Sequence, residues 1–239
     1  MKNKFGFILI KPQLGENIGA CARSMKNFGF NQLHLVSPKF SFPNHKTKVT
    51  SVGAFDIINK AKVFDDIQKS IERFDIIVSF SARMRDINKK NISMQDFKDI
   101  LNKRKQTRFG LMFGPEASGL SNDEVSYANY TLQIPTNPDF KSLNLSHSLI
   151  IIAQYVASLI KLKNIPFKKS KKVKSASKKE IQSMLGLCVK NLDEINFFRP
   201  KEKRPKMLEN LRNIFYKMDL SDKETRILSG VFASLGKKR

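Results

Sequence analysis

The stretch FGFILIKPQLGENIGACARSMKNFGFNQLHLVS, residues 5–37, decides the class of fold. It opens with the uninterrupted apolar run 5–10, which is typical of a strand buried on both faces. A helical pattern follows over 18–28, and the apolar run 32–37 then predicts a second strand. A strand, a helix and another strand in this order predict a βαβ unit with parallel strands.

The alternation of strand and helix patterns continues through the first 160 residues. Further strands are predicted at 75–81, 108–114 and 131–135, and further helices near 65–73, 93–104 and 121–129. The last of these helices begins with SNDE at 121–124, a capping box in which the Ser and Glu side chains satisfy backbone N–H groups. We therefore predict an α/β domain with a mostly parallel sheet.

The composition favours a polyanionic partner. Lys and Arg number 44 against 21 acidic residues, a formal charge of +23 over 239 residues, which suits nucleic acid better than an uncharged ligand. The apolar N-terminal run is too short for a signal peptide, and the run after Leu149 meets Gln154 and Lys161 too soon to span a bilayer. We expect a cytoplasmic protein with no membrane segment.

Cysteine and histidine give no sign of a disulfide framework or a metal site. Cys21 and Cys188 are far apart in the chain. The His residues (His34, His45 and His147) lie far from one another and have no Cys neighbours at the spacing of metal ligands. We expect no metal.

The C-terminal part changes character after residue 160. Residues 161–179 contain nine Lys and no acid, a composition that predicts a solvated, flexible linker. Helical patterns return near 178–192, 204–217 and 222–235, the last opened by a second capping box, SDKE. Residues 161–239 carry 22 basic and 8 acidic side chains, whereas residues 1–160 carry 22 and 13. We predict a domain over 1–162, a Lys-rich linker over 163–177 and a small all-α extension over 178–239.

Polar side chains gather at three junctions between a strand and the following helix, where ligands bind in open α/β sheets. The candidates are, in chain order, Asn17 and Arg23 within 14–30, Glu116 within 111–125, and Ser142 and Asn144 within 132–144. Each also has a plain structural interpretation: a helix cap for Asn17, Ser142 and Asn144, and a solvated charge for Arg23 and Glu116. No G-x-G-x-x-G or G-x-x-x-x-G-K follows a predicted strand, which excludes the common dinucleotide and P-loop sites.

Together the three junctions resemble the motifs of the SpoU/TrmH class of SPOUT RNA 2′-O-ribose methyltransferases. An N-I-G-x-x-x-R motif matches Asn17 to Arg23, and an F-G-x-E-x-x-G-L motif matches Phe113 to Leu120. An I-P-x-x-x-x-x-S-L-N motif matches Ile134 to Asn144, with one additional residue here.

The C-terminal part adds a second resemblance, to one branch of this class. Residues 205–232 resemble the helical extension of TrmJ-type enzymes, which methylate the first nucleotide of the tRNA anticodon loop. The resemblance implies that residues 178–239 recognise tRNA. Pro115 and Ala117 stand where those enzymes often carry Arg. The resemblance covers nearly the whole chain apart from the Lys-rich linker.

The resemblance implies a trefoil-knotted fold, a homodimer, S-adenosylmethionine as methyl donor and tRNA as substrate, with cytidine or uridine 32 as the target. It implies cofactor contacts from Ser79, Phe80, Ser81, Gly114, Ile134, Ser142, Leu143 and Asn144. It implies a catalytic group of Asn17, Arg23, Glu116, Ser142 and Asn144, in which Asn17 fixes Arg23. Two alternatives stay open: an rRNA methyltransferase of the same class, and a non-catalytic RNA-binding protein on this fold.

Overall fold

The computed structural model describes residues 4–82, 89–161 and 174–236. The strands are β1 (Phe5–Ile10), β2 (Gln32–Val36), β3 (Lys62–Phe64), β4 (Ile76–Phe80), β5 (Lys90–Ile92), β6 (Phe109–Phe113) and β7 (Tyr130–Leu132). The helices are α1 (Gly15–Asn27), α2 (His45–Thr50), α3 (Phe55–Asn59), α4 (Ile67–Ile71), α5 (Met94–Lys103), α6 (Asn122–Ser126), α7 (Leu145–Lys161), α8 (Lys178–Glu194), α9 (Arg204–Lys217) and α10 (Asp222–Gly236).

The strands form one sheet in the order β3-β2-β1-β6-β4-β7-β5. Every neighbouring pair is parallel, which confirms the predicted α/β class. The carboxyl ends of the strands therefore lie at one edge of the sheet, and the loops that follow them gather there. The strands that the sequence patterns did not predict, β3 and β5, have three residues each and mostly exposed side chains, so they lack an apolar run.

One face of the sheet is covered by α1 and α7. Phe7 and Leu9 of β1 point to this face, and they share a core with Ile18 of α1 and with Leu149 and Ile152 of α7. α7 thus packs its first turns on the sheet through apolar side chains three or four residues apart. Because parallel sheets are buried on both sides, the opposite face needs its own cover.

The C-terminal helices provide much of that second cover. Ile8 of β1 and Met112 of β6 point to this face and share a core with Ile181 and Met184 of α8 and with Tyr216 of α9. Each of these side chains is at most 1% exposed. The C-terminal helices and the sheet therefore bury one another's apolar surface.

The helix patterns in the C-terminal part are confirmed by α8, α9 and α10, but the end of the predicted linker is packed. Ala176 is fully buried and its N–H donates to the carbonyl of Leu220 at 2.9 Å. Ser175 forms an antiparallel bridge with Ser221, and Ser177 caps α8 through a capping box. Residues 174–177 are thus not a solvated linker, whereas the predicted linker residues 163–173 lie outside the described residues.

The alternative interpretation of Asn17 as a helix cap is wrong. α1 begins at Gly15, and its N-cap position is Leu14, whose side chain makes no capping hydrogen bond. Asn17 lies inside the first turn and is 8% exposed. Its amide is therefore available for contacts with other elements. In the part of the chain that the structure describes, no helix is long and apolar enough to cross a membrane.

Candidate active site

A cavity of about 210 Å³ lies at the carboxyl edge of the sheet, between the loops that follow β4, β6 and β7. It is lined by Phe80, Ser81, Ala82, Phe113, Gly114, Pro115, Glu116, Ala117, Ser118, Gly119, Ile134, Lys141, Ser142, Leu143, Leu145 and Ser148. The strands bring these loops together because all of them are parallel and end at the same edge. This is the position at which the sequence predicted a ligand site.

Six of the eight predicted cofactor residues line this cavity: Phe80, Ser81, Gly114, Ile134, Ser142 and Leu143. The other two do not. Ser79 is fully buried, and its hydroxyl donates to the carbonyl of Tyr130 at 3.2 Å, so it joins β4 to β7. Asn144 lies beside the cavity and faces α1.

Glu116 holds two of the motif loops together through both carboxylate oxygens. Asn17 Nδ2 donates to Glu116 Oε1 at 2.7 Å, and the N–H of Gln13 donates to Oε2 at 3.0 Å. The loop after β1 is thereby joined to the loop after β6. A carboxylate that accepts directed hydrogen bonds on both oxygens is fixed in orientation.

Asn17 extends this network to the third motif. Its Oδ1 accepts a hydrogen bond from Asn144 Nδ2 at 3.1 Å. Asn144 Oδ1 in turn accepts from the N–H of Ser146 at 2.8 Å and from its hydroxyl at 2.7 Å, as a helix-capping side chain does. The polar entrance of α7 therefore combines a helix cap, a link to α1 and, at Ser142, a side chain on the cavity wall.

Arg23 is not part of this network. It is exposed on α1, and among the described residues its guanidinium makes no hydrogen bond or ion pair. The predicted contact in which Asn17 fixes Arg23 is therefore wrong, because the Asn17 amide is used by Glu116 and Asn144. The structure brings together Asn17, Glu116, Ser142 and Asn144, and Arg23 lies outside this group.

Gly114 is required by the shape of its own loop. A Cβ atom at this position would lie 2.3 Å from the backbone nitrogen of Leu120 and 2.5 Å from the carbonyl carbon of Gly119. Neither backbone atom can move without displacing the loop that lines the cavity. A side chain at Gly114 would therefore affect a bound ligand by displacing this loop, and not by occupying the space of the ligand.

Cys21 adds no reactive group to the site. It is fully buried on α1, and burial, followed by the negative charge of Glu116, raises the pKa of its thiol far above the usual range. A thiol that stays protonated is a poor nucleophile. The described residues also contain no group of three His, Cys, Asp or Glu side chains that could hold a metal ion.

The sequence patterns missed Gln13. Besides its N–H contact to Glu116, its side-chain Oε1 accepts from the N–H of Ala117 at 3.2 Å. Gln13 thus shapes the loop on the cavity wall from the opposite loop. Its position just after β1 is the available signal, since side chains at the carboxyl end of a central strand face the ligand edge.

The chain is similar to known RNA methyltransferases. A family model for the SpoU rRNA Methylase family matches residues 4–154. The tRNA (cytidine/uridine/adenosine-2′-O-)-methyltransferase TrmJ of Pseudomonas aeruginosa (strain UCBPP-PA14) is 26% identical over 247 residues, which cover 99% of this chain and 95% of that protein.

Two solved structures differ in how much of the chain they match. The crystal structure of TrmJ from Z. mobilis ZM4 is 30% identical, with a TM-score of 0.87, and covers 97% of this chain and 99% of its own. A structure that describes the 2-OH methylation of C/U34 on tRNA is 25% identical, with a TM-score of 0.52, and covers 66% of this chain and 96% of its own. The second protein therefore has no counterpart for about one third of this chain.

Proposed function

The chain belongs to the SpoU rRNA methylase family and, within it, to the TrmJ-type RNA methyltransferases, and from this premise we propose that it methylates a ribose 2′-hydroxyl of tRNA with S-adenosylmethionine as donor. The observation that carries the proposal is the network of Glu116, Asn17 and Asn144, which joins all three motif loops beside the cavity.

The chemistry of the cavity fits this cofactor. Ile134, Leu143 and Leu145 offer apolar surface to a flat purine ring. The loop from Gly114 to Gly119 offers backbone polar groups and the Ser118 hydroxyl to the ribose of the cofactor. S-adenosylmethionine supplies an electrophilic methyl group when bound. Methyl transfer of this kind depends chiefly on how the acceptor is positioned.

We assign positioning roles to the network and a substrate contact to Arg23. Glu116, Asn17 and Asn144 hold the three loops in one arrangement, and Ser142 faces the cavity. Arg23, exposed and without a protein partner among the described residues, can bind a phosphate group through two N–H donors and thereby orient the ribose beside it. A guanidinium keeps its proton in proteins, so this role is preferred to that of a general base.

The C-terminal helices support tRNA as the substrate and the first anticodon-loop nucleotide, cytidine or uridine 32, as the target. The similarity to the Z. mobilis TrmJ structure extends over almost the whole chain. The match to the protein that concerns C/U34 of tRNA leaves one third of this chain unmatched. We therefore prefer the TrmJ-type target to position 34 and to rRNA.

We further propose that the protein is a homodimer with the trefoil-knotted fold of its class and that it acts in the cytoplasm. Leu14 at the start of α1 is 49% exposed and Ile151 of α7 is 38% exposed, although α1 and α7 pack against each other. A second copy that covers this surface would protect both side chains. Light scattering of the purified chain tests the dimer.

The test of the function is methylation of total tRNA and of rRNA, with the modified nucleotide mapped. We expect 2′-O-methylation at position 32 of tRNA. Arg23→Ala should lower turnover at least about 100-fold, because a contact realised at the transition state acts directly on turnover. Its affinity for S-adenosylmethionine should change less than threefold.

Lys26→Ala is the matched control for Arg23. Lys26 lies on the same helix and is exposed, and its surface ion pair with Asp56 contributes little to stability. It should retain nearly full activity. Turnover of Arg23→Ala within a few fold of the wild type would contradict the role given to Arg23, and methyl transfer to rRNA alone would contradict the substrate.

A further inference from the structure

A second concave surface lies between α8 and α9, apart from the cavity at the carboxyl edge of the sheet. This α8–α9 groove has a volume of about 870 Å³ and is lined by Asp193, Asn196, Phe198, Arg199, Pro200, Lys201 and Arg204. None of these residues lines the first cavity. The groove is therefore separate from the proposed cofactor site.

Three cationic side chains line the groove, of which one is held in an ion pair and two are not. Arg204 donates to both carboxylate oxygens of Asp193, at 3.1 and 2.8 Å, and its guanidinium carbon lies 5.4 Å from the centre of the Phe198 ring. Arg204 is thus fixed as part of the wall. Arg199 and Lys201 are exposed, and neither makes an ion pair within the described residues.

The charge around the groove is strongly one-sided. Residues 195–206 contain five cations, Arg199, Lys201, Lys203, Arg204 and Lys206, against Glu202 as the one acid. The Asp193 carboxylate is neutralised by Arg204, and Lys206 pairs with Glu209. Arg199, Lys201 and Lys203 make no ion pair within the described residues, and the first two of them line the groove.

An exposed aromatic ring lies beside these cations. Phe198 lines the groove and is 5% exposed, whereas its chain neighbour Phe197 is 48% exposed and lies next to the lining residues without being one of them. The two rings are in contact, with centroids 5.4 Å apart and planes at 81°. Phe198 thus supports Phe197 from one side and leaves much of the Phe197 surface open to a partner.

We propose that the α8–α9 groove binds an unpaired stretch of RNA, with Arg199 and Lys201 on backbone phosphates and a base stacked on Phe197 beside the groove. Single-stranded RNA is recognised by this combination of a basic groove and an aromatic ring. An acidic peptide would use the cations but would have no flat group for the exposed ring. That this RNA is tRNA rests on the proposed function.

The electrostatic part is tested with the double variant Arg199→Glu/Lys201→Glu. The control is Lys179→Glu/Lys223→Glu, which changes the same number of charges at exposed positions of α8 and α10 outside the groove. We expect the groove variant to bind tRNA at least about 10-fold more weakly, and the slope of log affinity against log salt to become shallower by roughly 1.4 for two single-strand phosphates. The control should change affinity less than threefold. An equal loss in both variants would overturn the proposal.

The aromatic part is tested by comparing Phe197→Ala with Phe197→Trp. Loss of one stacked base should weaken binding of tRNA and of poly(U) by about fivefold or more, and Trp should keep the wild-type affinity. Circular dichroism and thermal melting establish that each variant is folded. Wild-type affinity in the Ala variant would overturn the stacking contact. So would displacement of tRNA from the wild type by polyglutamate as readily as by poly(U).

These binding experiments can fail separately from the proposed function. If the wild type transfers no methyl group to tRNA but the groove variants lose RNA affinity, the proposed function fails and the groove stands. If the wild type methylates tRNA and the groove variants bind it normally, the groove proposal fails and the proposed function stands.

Discussion

At the scale of single residues, the site is held together by Asn17. Its amide donates to Glu116 and accepts from Asn144, so one buried side chain joins the loops after β1, β6 and β7. A buried amide that both donates and accepts cannot be replaced by a group that does only one of these. This gives a direct test of the network.

Asn17→Asp should destabilise the protein and lower methyl transfer. Asp cannot donate to Glu116, and two carboxylates would then face each other, which should cost about 1–3 kcal/mol of unfolding free energy. Urea unfolding measures the loss. The double variant Asn17→Asp/Glu116→Gln restores a donor and an acceptor in reversed order and keeps the net charge, so it should recover at least half of the stability. If the single and double variants are equally destabilised, the hydrogen bonds of this network are not the cause of the lost unfolding free energy.

At the scale of elements, α8 and α9 are attached to the sheet through buried lysines as well as apolar contacts. Lys89 Nζ donates to the carbonyls of Ser126 and Ala128, both at 2.7 Å, and lies 3.4 Å from that of Asn213 on α9. Lys178 is fully buried at the start of α8, and its Nζ has no hydrogen-bond partner among the described residues. It lies 5.2 Å from the centre of the Tyr216 ring.

The Lys178 amine should make stability depend on pH. Burial lowers the pKa of Lys178 from 10.5, the value of an unburied lysine, to about 7. The negative charges of Asp219 and Asp75 oppose this shift. Between these two values the folded chain binds fewer protons than the unfolded chain, so the free energy of unfolding should rise with pH from about 7 to about 10. Below pH 7 the amine is protonated in both states and contributes no slope. Burial, followed by the charges of Lys178, Lys217 and Arg212, also lowers the pKa of Lys89, to about 6. Its three carbonyl acceptors favour the charged form and oppose this shift, whereas the Lys178 amine has no acceptor among the described residues, so we assign the larger part of the pH dependence to Lys178.

Lys178→Met should flatten this rise and stabilise the protein at pH 7 by about 1 kcal/mol, because it removes a buried polar group without a partner. Lys179→Met is the matched control, since Lys179 is the exposed neighbour on the same helix. Urea unfolding at pH 6, 7, 8 and 9 gives both profiles. An unchanged slope in Lys178→Met would place the titrating group elsewhere.

At the scale of the whole molecule, the C-terminal helices share a core with the sheet. The sequence patterns predicted a separate domain over residues 1–162. The structure argues against this, because Ile8, Met112 and Val125 would lose the cover that Ile181 and Tyr216 provide. Exposing a contiguous apolar surface of this kind promotes aggregation.

We therefore expect a chain that ends at residue 162 to aggregate when it is expressed alone. A chain that ends at residue 236 lacks only the last three basic residues and serves as the control, which should stay soluble. The soluble fraction and light scattering decide the outcome. If the shorter chain is monodisperse and melts cooperatively, the predicted division into a domain over 1–162, a linker over 163–177 and an extension over 178–239 is supported.

The sequence by itself determined the class of fold and the loops that line the cavity. Uninterrupted apolar runs that alternate with helical patterns favour a parallel sheet between helices, and the capping boxes placed the starts of α6 and α10. The three motifs lie where such strands end, so six of the predicted cofactor residues line the cavity.

Only the tertiary structure decided how those residues contact one another. The local sequence suggested that Asn17 is a helix cap. It cannot show that the Asn17 amide forms hydrogen bonds with Glu116 and Asn144, which lie about 100 and 127 positions away. The Lys-rich composition of 161–179 predicted a solvated segment, yet Ala176 and Lys178 are fully buried because α8 packs on the sheet. Periodicity records which side chains avoid water, whereas the partner that each one meets depends on contacts between residues far apart in the chain.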